Sequence, residues 1–260
     1  MQMVNFRNSL VTIILAGFSL SAVYGQDKIS HNKSPDTEKL KADFLPDAYN
    51  VKWNNPGPGS AQSMPLGNGD TGLNVWVEKN GDLAFYISKT DAWGGSVSEQ
   101  DPWMKQGGIL MKLGLVHVSV NPSPVMSGTP FLQLLELRNG EIKVIEGKGT
   151  SQIIFRIWVD ANHPVIRVEA LSRRYVSVNV HLENWRIGKG DQLISGLQDR
   201  LTWYHRNDKG EDPHLAGITF GAEIKGNRLI RKDAFSLQSV KRTKSQLISI
   251  YPASNRDDPR

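Results

Sequence analysis

Asp91, Glu99 and Asp101 fall within the stretch DAWGGSVSEQDPW, residues 91–103, which also carries Trp93 and Trp103. Two carboxylates on either side of a sugar are what hydrolysis of a glycosidic bond needs, one as acid and one as base or nucleophile. Spacing along the chain does not set their separation in space, and a solvated loop accounts for the same residues. The tryptophans suggest another use. The C–H groups of a sugar ring lie flat on an indole, so Asp91, Trp93 and Trp103 are the candidate substrate-binding residues. The chain has seven tryptophans. A β-sandwich core uses tryptophan equally well, and Trp93 and Trp103 stand apart because their surroundings are loop-like. Trp76 shares a strand face with Asn74 and Glu78 and should meet a polar surface or a second layer.

Residues 67–72, GNGDTG, fit the spacing G-x-G-x-x-G, with Asp91 further on. A dinucleotide site of this kind needs a strand before it and a helix after it, because the helix amino terminus holds the pyrophosphate. Here Met64-Pro65-Leu66 precedes and a strand-like run follows. Gly67, Asn68, Gly69 and Gly72 are therefore expected to form a structural loop, a tight turn feeding a strand.

The histidines show no metal spacing. His205 and His214 bracket residues 206–213, where Asp208, Glu211 and Asp212 are hard oxygen ligands. Turn chemistry explains them as well, and no metal and no cofactor is assigned. His181 sits on the polar side of an alternating run. No serine lies in a nucleophile elbow. Arg173-Arg174 and residues 241–244 (KRTK) are basic but lack interleaved aromatics, and both are expected between strands, so nucleic acid is not an expected partner. There are no cysteines, which excludes disulfide scaffolds, thiolate metal sites and cysteine nucleophiles.

These residues need a scaffold, and the texture of the chain is that of β-structure. Residues 71–77 (TGLNVWV) and 83–88 (LAFYIS) flank Asn80-Gly81, a hairpin signal. Residues 131–137 and 141–145 flank Asn139-Gly140 in the same way. Longer strands are expected at 152–160, 164–171 and 176–184. In the last, Val176, Val178, Val180 and Leu182 point one way and Ser177, Asn179, His181 and Glu183 the other, the mark of a strand with one dry face. Further strands are expected at 116–120, 201–205, 217–224, 235–240 and 246–251. About a dozen strands with no helical periodicity argue for antiparallel sheets stacked as a sandwich. The fold class is all-β.

The amino-terminal residues are an address. Residues 10–22 form an apolar run of 13. That is short of the roughly 20 residues a membrane helix needs and suits a signal peptide. Residues 1–25 are read as that signal, 26–48 as a flexible leader, 49–251 as the β-domain and 252–260 as the start of a linker or a truncated end. The protein is expected to be exported, periplasmic or extracellular, with no membrane contact after cleavage. The composition, 39% hydrophobic and 22% charged with net charge +5, is that of a globular protein.

Residues 63–76 (SMPLGNGDTGLNVW), 83–94 (LAFYISKTDAWG), 113–121 (LGLVHVSVN), 132–145 (LQLLELRNGEIKVI) and 155–169 (FRIWVDANHPVIRVE) together resemble a known pattern. They are similar to the amino-terminal domain of glycoside hydrolase family 95, the α-L-fucosidase and α-L-galactosidase group. There a PxGNGxxGA loop leads into a strand and a hairpin, and an NExxLWxG segment follows. Residues 65–72 match the first; residues 88–94 stand for the second, with Ser88-Lys89 in place of Asn-Glu. Closer still is domain-of-unknown-function family 5703, of exported bacterial glycosidase-like proteins, whose signature residues 64–93 nearly reproduce. The resemblance spans residues 49–260.

It implies an antiparallel β-supersandwich that normally packs on an (α/α)6 barrel of the same protein, where family 95 keeps its catalytic carboxylate. No part of this chain matches that barrel, so no catalytic residue is assigned. The expected function is that of the amino-terminal module of an exported glycoside hydrolase-like protein acting on poly- or oligosaccharide. The alternative is a stand-alone carbohydrate-binding or structural β-sandwich without catalysis.

Overall fold

The computed structural model describes residues 46–94, 108–125, 128–188, 190–207 and 214–256. The expected signal peptide, Trp103, Glu99, Asp101, Asp208, Glu211 and Asp212 lie outside these residues, as does the leader up to residue 45.

Two antiparallel sheets are built from fifteen strands among the described residues. In the first sheet lie β1 (Val51–Trp53), β6 (Phe131–Glu136), β7 (Glu141–Glu146), β8 (Ile153–Val159), β9 (Ile166–Glu183), β15 (Thr243–Arg256), β12 (Ile218–Gly226), β11 (Arg200–Arg206) and β10 (Asp191–Leu193), in that spatial order. In the second sheet β2 (Met64–Gly67), β3 (Thr71–Val77), β4 (Leu83–Gly94) and β5 (Ile109–Asn121) pair in sequence order. β5 then pairs with β9, β9 with β14 (Ser236–Ser239), and β14 with β13 (Leu229–Asp233).

β9 belongs to both sheets. Its first part, from Ile166, pairs with β8 and β15; its second part, Ser177 to Glu183, pairs with β5. Ile166, Val168 and Ala170 are buried, and so are Val176, Val178, Val180 and Leu182. The buried side keeps the same parity along the strand, so β9 crosses from one sheet to the other without turning its apolar edge to solvent. The two strands expected at 164–171 and 176–184 are thus one. Arg173-Arg174 does not lie between strands, as the sequence suggested, but at the crossing inside β9, where the inward alternation lapses for a few residues.

The core fills the space between the sheets. Phe85, Val75 and Val118 of the second sheet face inward, as do Phe155, Ile157, Phe220 and Ile250 of the first, and all are essentially inaccessible. Each such side chain contributes about 1.5–3 kcal/mol by leaving water, which explains why a chain without disulfides holds this shape.

Several expected boundaries move. β4 continues to Gly94, so Asp91, Ala92 and Trp93 are strand, not loop; Ala92 points inward and is buried while its two neighbours are exposed. β15 continues through 252–256 and stays paired with β12 as far as Arg256 opposite Ile218, where the sequence suggested a linker. Polar composition misled there because one face of β15 is solvated. β1, β2, β10 and β13 are too short or too polar to show a period. Both hairpins form as expected, at Asn80-Gly81 between β3 and β4 and at Asn139-Gly140 between β6 and β7.

Candidate functional site

The GNGDTG turn joins β2 to β3, with Gly67 opposite Gly72. Asn68 closes it from within. Its side-chain oxygen accepts from the backbone N–H of Asp70 (3.1 Å) and Thr71 (2.9 Å), as asparagine does in tight turns. Its amide donates outward to the carbonyls of Asp160 (2.8 Å) and His163 (3.2 Å) in the β8–β9 turn. Gly69 has φ +93°, a conformation that side chains disfavour. At Gly67 a Cβ would lie 2.7 Å from the Thr71 carbonyl oxygen, so the close approach of the turn requires glycine. Gly72 is different: its φ is ordinary and a Cβ there would meet nothing within 4 Å. The expected structural loop is therefore carried by Gly67, Asn68 and Gly69, and Gly72 faces open space.

The turn aims Asp70 at Lys89. The β3–β4 register sets Thr71 opposite Lys89. Leu83, Phe85 and Ile87 point inward from β4, and Lys89 extends that parity to the middle of the strand, leaving it only 7% exposed. Its ammonium donates to Asp70 Oδ1 (2.8 Å) and Asp91 Oδ1 (2.9 Å). The other oxygen of Asp91 accepts a short hydrogen bond from the hydroxyl of Ser254 on β15. Burial pushes the Asp91 carboxyl up, but the hydrogen bonds from Ser254 and Lys89 outweigh it and hold Asp91 below the usual carboxylate range. Burial opposes the charge on Lys89 too, and its two carboxylate partners more than compensate, raising it above the usual lysine value. A cavity of about 190 Å³ opens beside this cluster, lined by Asp70, Gly72, Ser88, Lys89, Thr90 and Leu110.

Trp93 lies two residues beyond Asp91 on β4. Its indole N–H donates to the Thr90 carbonyl (2.8 Å), and its ring is 40% exposed opposite Leu110, itself exposed. The backbone behind it is tied down by a buried polar chain. Asn207 donates to the carbonyls of Trp93 (2.8 Å) and Leu215 (3.0 Å). The Asn207 side-chain oxygen lies 3.1 Å from His205 Nε2, and His205 Nδ1 lies 2.9 Å from Asp191. Asp191 also accepts from Arg186 and Asn184. Burial would raise the Asp191 carboxyl; the bonds from His205, Arg186 and Asn184 win, and it sits below its ordinary value.

Asp91 is thus tied through Lys89 to Asp70 of the GNGDTG turn, and Trp93, two residues further along β4, is bonded to the Thr90 carbonyl. Sequence reading missed Lys89, Ser254 and Asn207. Lys89 had a signal, its place in the inward phase of an alternating run. Ser254 and Asn207 had none, because both act across long stretches of chain. His205 is committed to Asp191 and Asn207, and His181 meets Ser236 at 3.0 Å. Trp76 packs with Tyr86, Ala84 and Leu115 in a small cluster of its own, a second layer rather than the polar surface that was the other expectation for it. Among the described residues no group of three or more His, Asp or Glu is placed to hold a metal ion.

The chemistry of the cluster is that of an ion pair in which Lys89 is held between two carboxylates. A glycosidic acid must keep its proton near neutrality. Asp70 and Asp91 share one ammonium, and Asp91 is held ionised.

Fold and site define a class: an antiparallel β-sandwich domain whose turn, lysine and carboxylates form a locked corner, with an exposed tryptophan further along the same strand. The chain belongs to the family described as a domain of unknown function (DUF5703), whose amino-terminal model matches residues 52–192. No curated protein matches it. Among solved structures it is similar to "Putative kojibiose phosphorylase from human microbiome", with 12% identity and a TM-score of 0.44. That match covers 83% of this chain and 30% of the other, so the chain spans less than a third of that protein's length. At this level the likeness carries no argument about activity.

Proposed function

We propose that this domain is the amino-terminal β-sandwich module of an exported glycoside hydrolase-like protein, and that it contacts polysaccharide through the rim at Trp93. One observation carries the reading: Trp93 offers a flat, exposed ring whose only polar atom is already bonded to the Thr90 carbonyl, and the Thr90 hydroxyl in turn bonds the Asp70 carboxylate that Lys89 shares with Asp91. An apolar ring face with fixed hydrogen-bonding groups at its edge suits a pyranose, which has C–H groups on its face and hydroxyls on its rim. The resemblance to family 95 supports the same class of ligand. The module binds and positions, and bond cleavage belongs to a barrel of the kind that accompanies such domains.

The test is binding of soluble polysaccharides by the chain from residue 26, read by affinity electrophoresis. Xylan, mannan, β-glucan and fucose-containing polymers serve as probes. Retardation by at least one polymer, lost in Trp93→Ala with an unchanged melting temperature, is the expected result. Equal retardation of both proteins overturns the role given to Trp93.

A further inference from the structure

A second feature lies on the outer face of the first sheet. Trp203, Phe220, Ala222 and Ile250 of β11, β12 and β15 point into the core, so the alternate residues point out. The register sets Tyr204 opposite Gly221 and Gly221 opposite Ala253; the next row holds Thr202, Glu223 and Tyr251. One row therefore has a tyrosine followed by two positions with almost no side chain. The result is an open groove of about 460 Å³, with Gly221 and Ala253 on its floor and Tyr204 and Tyr251 beside it. The floor is built in: a Cβ on Gly221 would lie 2.7 Å from the Tyr204 Cα.

Both rings are held before any ligand arrives. The Tyr204 hydroxyl donates to Gln192 at 2.6 Å. The Tyr251 ring has the Lys225 ammonium 4.5 Å and the Arg167 guanidinium 6.0 Å from its centre. Glu223 pairs with Lys225 (3.3 Å) and Arg200 (3.4 Å), so a donor and an acceptor stand side by side. This lining does not select a strongly charged ligand, because its charges are already matched. It does suit neighbouring hydroxyls on a ring that lies against tyrosine.

We propose that this groove is a second carbohydrate subsite, taking a neutral sugar unit of an oligosaccharide. The ligand class rests on the carbohydrate reading of the preceding section, but the site does not depend on Trp93.

The test uses the chain from residue 26, titrated calorimetrically with xylan, mannan, cellulose and starch oligosaccharides. Tyr251→Ala removes one ring. Ala253→Trp fills the groove from an exposed position, leaving the core untouched. Each is expected to weaken binding of the recognised oligosaccharide roughly tenfold or more, as loss of an anchoring contact does. Trp93→Ala is expected to leave the groove's share of the binding in place. Binding that is lost in Trp93→Ala yet unchanged in both groove variants overturns the second subsite and leaves the Trp93 reading standing. No binding of any of the four overturns the second subsite, and the Trp93 reading falls with it only if no polymer of the electrophoresis test is retarded either. Self-association of the chain that Ala253→Trp abolishes assigns the groove to a second copy and also overturns the proposal.

Discussion

The side-chain amide of Asn68 donates to the carbonyl of Asp160 at 2.8 Å, bridging residues 92 positions apart. The same side chain organises its own turn through two backbone N–H groups and reaches the His163 carbonyl as well. One asparagine thus fastens a turn of the second sheet to a turn of the first.

Asn68→Ala should lower stability by about 1–2 kcal/mol, since these partners are partly within reach of replacing water. Asn68→Asp separates the two halves of the role. It keeps the acceptor for the turn and loses both outward donors, so it should be destabilised with the turn intact. Urea denaturation of the two variants measures the difference.

Gly69 and Gly72 should respond oppositely to added bulk. Gly69→Val forces a β-branched side chain to a φ of +93° and should cost about 1–3 kcal/mol. Gly72→Ala meets no neighbour and an ordinary backbone, so its melting temperature should stay close to the parent's or rise slightly. A large loss at Gly72 would mean that the open space beside it is filled by something.

Glu146 makes stability depend on pH near neutrality. It is 1% exposed, and neither carboxyl oxygen has a hydrogen-bond partner. Burial, helped by nearby Asp82, pushes it up to about 8 from 4.5. A carboxyl raised on folding contributes stability fully below its unfolded value and loses it as pH climbs to the folded one. Stability should therefore fall between pH 4.5 and about 8, by about 5 kcal/mol at most. Glu146→Gln, which cannot ionise, should flatten that slope. Denaturation midpoints across the range decide it.

Lys89→Met should leave Asp70 and Asp91 repelling each other at the rim. Both carboxylates are 41% and 55% exposed, so the cost is nearer that of a surface pair than of a buried one, about 1–2 kcal/mol. The acid limb should change as well. Asp91 is held low on folding, so it contributes stability above its unfolded value of 3.8 and loses it as pH falls through the folded value. Without Lys89 that contribution shrinks, and the variant should approach the parent in stability as pH drops below 3.8.

Much of the fold could be read from alternation alone. The run Val176 to Leu182 announces its dry face, and the Asn-Gly pairs announce the hairpins. What hid the continuity of β9 is Arg173-Arg174, two charges that look like a loop but occupy the place where the strand leaves one sheet for the other. Pro65 concealed β2, which tolerates a proline because it pairs on one side only, with β3. At the site, the turn was legible because its glycines and asparagine act within a few residues. Asp91 and Trp93, chosen for their chemistry, stand two residues apart at exposed positions of β4. Asn207, His205 and Asp191 could not be assembled in advance, because their contacts depend on the β10–β11 register and on a strand end more than a hundred residues earlier.

The shared strand has a consequence for how the molecule comes apart. Neither sheet can be peeled away without breaking the ladder that β9 makes with the other, so there is no seam along which half the sandwich could open alone. Heat or denaturant should meet a single cooperative transition over the described β-domain. The amides of β9 on either side of the crossing, around Val168 and Val180, where the strand is paired on both edges, should be the last to exchange with solvent, reporting the free energy of the whole domain rather than of any local opening.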